Sequence, residues 1–89
     1  MKRYKVLYTR AAVKAFDKLD KSISGMIYAW VESNLEGCSD PRAHGKALSA
    51  NRKGQWRYRI GDYRLIVELR DKELIILALA VGHRSSIYN

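Results

Sequence analysis

Acidic residues are scarce in this chain. Nine Asp and Glu stand against seventeen Lys and Arg, giving a formal charge of +8 and an isoelectric point near 9.9. Charge of one sign does not select a fold, but it directs a protein toward nucleic acid, anionic membrane or an acidic protein. Cysteine is almost missing too. Cys38 stands alone in the loop-like run Gly37-Cys38-Ser39-Asp40-Pro41, so no internal disulfide can form and a reducing, cytoplasmic setting is expected. No Cys or His lies near it at ligand spacing, and no metal site is expected. Long hydrophobic runs are lacking as well. The longest, Leu74–Val81, has eight residues, far short of the roughly 20 a membrane helix needs. The basic start Met1-Lys2-Arg3-Tyr4-Lys5 is not followed by the apolar run of a signal peptide. A soluble protein without a membrane partner is the expectation. There is no Ser-His-Asp set, no pair of carboxylates, no glycine loop to cradle phosphate and no Cys/His cluster, so no cofactor is expected.

What is present is organised as one domain spanning 1–89, since 89 residues leave room for one core only. Tyr4, Val6 and Tyr8 alternate with Arg3, Lys5 and Leu7, which predicts a strand over Arg3–Tyr8. Thr9 is a good N-cap for a helix over roughly 10–19, with Val13, Phe16 and Leu19 on one stripe. Asp20 can cap a second helix, where Ile23, Met26, Ile27, Trp30, Val31 and Leu35 follow the helical period, and Gly37 supplies its stop. These Met, Trp and Phe side chains read as core. Gly25 inside the helix costs about 1 kcal/mol against Ala unless something packs closely there.

Residues 38–53 read as a basic loop. Three strands follow. Gln55–Ile60 sets Trp56, Tyr58 and Ile60 against Gln55, Arg57 and Arg59, and Tyr63–Arg70 alternates likewise. Glu73–Val81 is apolar nearly throughout, as expected of a strand covered on both faces. The predicted fold class is α+β, with two N-terminal helices on one face of a mainly antiparallel four-stranded sheet in the order β-α-α-β-β-β.

Register turns this outline into chemistry. Gly61-Asp62 between two alternating runs signals a two-residue hairpin, most naturally a type II′ turn. Ile60 then faces Tyr63, Arg59 faces Arg64, Tyr58 faces Leu65, Arg57 faces Ile66 and Trp56 faces Val67. The apolar members point toward the helices, and Arg57, Arg59 and Arg64 point the other way. Like charges directly opposite each other are destabilising by up to about 1 kcal/mol. A polyanion on that face explains three guanidiniums better than solubility does, because Arg grips phosphate bidentately and keeps its charge. A second two-residue turn at Asp71-Lys72 would set Arg70 against Glu73, Leu69 against Leu74 and Arg64 against Leu79. The tail from Gly82 to Asn89 would then bring His83, Arg84 and Tyr88 to the end of the sheet where Arg59 and Arg64 lie. Residues 41–61 hold Arg42, Lys46, Arg52, Lys53, Arg57 and Arg59 and no acid. Lys46, Arg52 and Lys53 are candidate RNA contacts, and a solvated basic face is the alternative.

Such a set suits RNA scission by the RNA's own 2′-hydroxyl, which needs an oriented phosphate, charge stabilisation and proton transfer. His83 and Tyr88 are the candidate proton-transfer groups. From residue chemistry alone, a phosphate-binding sheet face is the conclusion and a nuclease is one possibility.

The strings Trp56-Arg57-Tyr58-Arg59-Ile60-Gly61-Asp62-Tyr63-Arg64-Leu65-Ile66 and Leu79-Ala80-Val81-Gly82-His83-Arg84-Ser85-Ser86-Ile87-Tyr88 resemble the C-terminal half of the RelE/ParE toxin superfamily. The ending looks like its RelE branch of mRNA interferases. The resemblance implies a metal-independent endoribonuclease that cuts mRNA in the ribosomal A site, leaves a 2′,3′-cyclic phosphate and is neutralised by a cognate antitoxin. It implies that Arg57 and Arg59 bind RNA and assist the chemistry, Arg64 stabilises the scissile phosphate, Arg84 acts on the leaving group and Tyr88 is the general base. His83 stands where relatives have His or Lys. The chain departs from relatives that carry lysines in place of Arg57 and Arg59. Its tail also stops soon after Tyr88, where many continue into a helix. Alternative expectations are a ParE-like gyrase inhibitor that cuts no RNA and a non-catalytic nucleic-acid-binding module.

Overall fold

The alternation around Val6 becomes strand β1, Lys5–Tyr8, in a computed structural model that describes residues 2–48 and 54–87. Thr9 ends the strand and caps helix α1, Arg10–Asp17, its side-chain oxygen accepting from the Ala12 N–H at 3.0 Å. Asp20 precedes helix α2, Lys21–Asn34, but its carboxylate makes no capping bond. Its backbone carbonyl instead accepts from Ile23 and Ser24, at 2.9 Å each. A short 3-10 turn, Pro41–Ala43, leads to strand β2, Lys46–Ala47, and then come β3 Gln55–Ile60, β4 Tyr63–Arg70 and β5 Ile75–His83.

These strands form one five-stranded sheet in the order β1-β5-β4-β3-β2, with β1 parallel to β5 and the other neighbours antiparallel. The α+β class and the mainly antiparallel sheet are as expected. The extra strand is β2, too short for any periodicity, in a stretch read as loop. Tyr58, Phe16, Ile27, Leu35, Leu65 and Ile76 are fully buried between the helices and one face of the sheet. No helix among the described residues is long and apolar enough to cross a membrane.

The helix stripes are narrower than their sequence period suggested. On α1 the buried line is Ala12 and Phe16, one turn apart, while Val13 is 43% exposed. The helix ends at Asp17, so two residues suffice to seat it on the sheet and Val13 turns to solvent. Ile27 and Val31 on α2, with Leu35 at its C-cap, are buried at successive turns, and Met26 is 45% exposed. Gly25 is exposed, and a methyl group there would meet nothing within 4 Å. Gly25→Ala is therefore expected to raise stability by about 0.5–1 kcal/mol, read as a higher urea midpoint with an unchanged m-value.

The β3–β4 hairpin has the register expected from Gly61-Asp62, pair for pair from Trp56↔Val67 to Ile60↔Tyr63. Gly61 takes φ +61° and Asp62 keeps a negative φ, as a II′ turn requires. The β4–β5 hairpin does not follow the predicted register. Asp71-Lys72 carries no glycine, and a tight two-residue turn is not made there. The loop spans 71–74, and Leu74 takes φ +57°. Arg70 faces Ile75, Leu69 faces Ile76, and a bulge between Ile66 and Val67 leaves Leu79 without a partner. Arg64 faces Gly82 rather than Leu79, and Tyr63 faces His83.

Candidate nucleic-acid groove

Arg59 and Arg64 lie opposite each other across β3 and β4, and Arg57 follows two residues along the same face. Together with Trp30, His44, Gly45 and Lys46 they line an open groove of about 440 Å³. Among the described residues no carboxylate comes within ion-pair distance of Arg59 or Arg64; the nearby acids are used elsewhere. Glu68 pairs with Arg70 at 2.6 Å, and Asp62 lies 3.9 Å from Arg84. The Arg64 guanidinium instead donates weakly to the carbonyls of Tyr63, at 3.2 Å, and Gly61, at 3.4 Å. Adjacent cations without counter-charge form a field that a phosphate would relieve.

The wall carrying His44 and Lys46 is fastened to the sheet at several points. Asp71 accepts both guanidinium nitrogens of Arg42 at 3.0 Å and the Tyr4 hydroxyl at 2.6 Å. The Arg42 guanidinium also lies 5.8 Å from the centre of the Trp56 ring, a cation–π contact. The Trp56 indole N–H donates to the His44 carbonyl at 2.6 Å, and the buried Tyr58 hydroxyl donates to the Pro41 carbonyl at 2.6 Å. Burial pushes the Tyr58 phenol up, so it stays a donor. Lys46 pairs with Arg57 in the ladder. Within the basic run that reads as loop, residues 41–47 are thus a built wall.

Asp71 also gives that wall a pH dependence. The Arg42 and Tyr4 hydrogen bonds hold its carboxyl below the usual carboxylate range. A depressed folded value means the stabilisation is complete above the unfolded value, about 3.9, and is lost as pH falls through the folded one. Asp71→Asn is expected to cost about 1 kcal/mol at neutral pH, the pair being half exposed. The gap to wild type should close toward pH 3, as measured by urea melts at both pH values.

The tail arrives at the Gly61-Asp62 turn, but not with every side chain on the arginine face. The Arg84 N–H donates to the Asp62 carbonyl at 2.8 Å, and its exposed guanidinium stays at that rim, outside the groove lining. His83 pairs with Tyr63 and shares its face, the helix side, with the two rings edge-on at 5.4 Å. The bulge at Leu79 causes this, because one extra residue reverses the facing of everything beyond it. His83 thus reaches the expected end of the sheet, but on the face opposite the arginines. The His83 Nδ1 receives the Ser85 N–H at 3.1 Å and lies 2.8 Å from its hydroxyl. Ser86 and Ile87 turn back on the His83 carbonyl, and Ile87 packs over Gly82, opposite Arg64. The chain just before Tyr88 therefore reaches the arginine face. Tyr88, Arg52 and Lys53 lie outside the described residues. Three groove residues, Trp30, His44 and Gly45, carry no site signal in the sequence. Trp30 follows the core period of α2 and is half-buried at the groove. His44 carried no pattern beyond its place in the acid-free run.

A family model described as the ParE toxin of type II toxin–antitoxin systems, parDE, matches residues 6–88. The chain belongs to this family of toxins, within the RelE/ParE superfamily. It is a RelE-like member. It is 30% identical over 89 residues to a putative RelE-like toxin protein of Escherichia coli, covering 98% of this chain and 92% of that one. It is 29% identical over 85 residues to toxin RelG of Mycobacterium tuberculosis, covering 96% and 95%. It superimposes with a TM-score of 0.79 and 28% identity on a chain of a RelBE toxin–antitoxin complex from Mycobacterium tuberculosis, covering 92% of this chain and 99% of that one.

Proposed function

We propose that the chain acts, as one RelE-like domain over 1–89, as a ribosome-dependent mRNA endonuclease of the cytoplasm, restrained by a cognate antitoxin. The observation that carries this reading is the groove in which Arg57, Arg59 and Arg64 face outward from two adjacent strands. In the reaction, the mRNA 2′-hydroxyl loses its proton and attacks the adjacent phosphorus, the bond to the 5′-oxygen breaks, and a 2′,3′-cyclic phosphate remains. Arg57 and Arg59 hold the RNA backbone with Lys46, Arg52 and Lys53. Arg64 stabilises charge on the phosphoryl oxygens. Arg84, at the rim, stabilises charge on the leaving 5′-oxygen, which takes a proton from solvent, and Tyr88, next in the sequence after Ile87, takes the 2′-hydroxyl proton. His83 is assigned no direct contact with RNA, because it belongs to the other face.

An acidic, partly disordered antitoxin folding over the basic surface fits this charge distribution, and toxins of similar structure are seen in RelBE complexes. A second reading follows from the ParE resemblance, gyrase inhibition without RNA cleavage, and the family model that matches is described as a ParE toxin. Induced expression with 5′-end mapping of cellular mRNA, beside a DNA-supercoiling assay, separates the two. Cuts within translated codons are the expected result. Gyrase-linked DNA breaks with intact mRNA would overturn it.

A further inference from the structure

The arginine groove has one end that its phosphate chemistry does not use. There the rings of Trp30, from α2, and His44, from the wall before β2, meet edge to face, with centroids 5.6 Å apart and planes at 74°. Behind them Trp30 leans on the buried Tyr58 ring, 5.6 Å away at 48°. Tyr58 is itself tied to the Pro41 carbonyl, and the His44 backbone to Trp56. The pair is therefore held from below. In an edge-to-face pair only one ring offers its face to the other, and His44 is exposed, so aromatic surface remains open to the groove.

We propose that the Trp30–His44 pair is a nucleobase-stacking subsite, taking the base adjacent to the phosphodiester gripped by Arg57, Arg59 and Arg64. The inference rests on the groove being an RNA site and adds what the arginines cannot supply. Guanidiniums along the backbone position a strand without regard to its bases, whereas an aromatic face beside them fixes one base relative to the phosphate. Single-stranded RNA is held in general by this combination of a cationic track and a stacking platform. The same pair also bears on which nucleotides are accepted, because purines stack over more area than pyrimidines.

The test uses the intact protein and a short fluorescein-labelled oligoribonucleotide at low salt, with an abasic residue placed at each position in turn. His44→Ala keeps the carbonyl that Trp56 holds, so it removes the ring and leaves the wall fastened. One abasic position should weaken wild-type binding about tenfold. His44→Ala should weaken binding to the intact strand by a similar factor and suffer no further loss at that abasic position. His44→Phe should restore both the affinity and the abasic penalty. An abasic penalty of the same size in His44→Ala and wild type would overturn the subsite while leaving the arginine groove standing. RNA binding that is insensitive to Arg57, Arg59 and Arg64 would overturn the groove and the subsite together.

Discussion

If the proposed chemistry holds, Arg64→Ala is expected to abolish growth arrest on induction and to lower mRNA cleavage about 10²–10³-fold, the loss typical of removing one preorganised donor to a developing oxyanion. The fold is expected to tolerate the change. The Arg64 guanidinium makes two weak bonds to turn carbonyls, at 3.2 and 3.4 Å, and faces Arg59 across the ladder. Losing those bonds costs under about 1 kcal/mol, and relief of like-charge repulsion offsets part of that. Arg64→Lys keeps the charge without the bidentate fork and is expected to fall between. Arg10→Ala, an equal change of charge at the exposed start of α1, controls for general loss of attraction to RNA. Cleavage and melting are measured side by side on all three variants. Equal cleavage by Arg64→Ala and Arg10→Ala would remove Arg64 from the chemistry.

That this arginine could be singled out from the sequence depended on one turn. Gly61-Asp62 fixes the β3–β4 register because a two-residue loop leaves no freedom, and alternation along both strands agrees with it. Where a turn lacked such a residue, the sequence was ambiguous. The 71–74 loop closes with Leu74 at φ +57°, an uncommon choice for a leucine, and the bulge at Leu79 sits in a uniformly apolar strand whose faces look alike. Hence the strand was legible and the facing of His83 was not. Strand β2 and the groove wall depend on long-range bonds, from Arg42 to Asp71 and from Trp56 to the His44 carbonyl, which leave no local pattern. Trp30 satisfies the core period of α2 and also lines the groove. Periodicity reports the first role only.

Gly45→Ala is expected to destabilise the protein by about 2–4 kcal/mol and to disorganise the groove wall. Two causes act together. Gly45 has φ +80°, where a side chain is strained, and a Cβ there would fall inside the Arg57 carbonyl oxygen while meeting the Trp56 indole nitrogen at 2.8 Å and the Tyr58 ring at 2.9 Å. None of these can give way cheaply. The Arg57 carbonyl belongs to the β3 backbone, Trp56 holds the His44 carbonyl, and Tyr58 is buried with its hydroxyl on Pro41. Accommodating a methyl group means lifting residues 44–46 off β3, which moves His44 and Lys46 away from the arginines. Gly54→Ala separates the two causes, since Gly54 also has φ +80° but a Cβ there meets nothing within 4 Å. It should cost only the left-handed backbone penalty, roughly 1–2 kcal/mol, and keep RNA affinity. Chemical melts of the two variants, with anisotropy binding to RNA, decide the matter. Similar losses of stability and unchanged affinity in both would mean that the wall before β2 is not locked by its contact with β3.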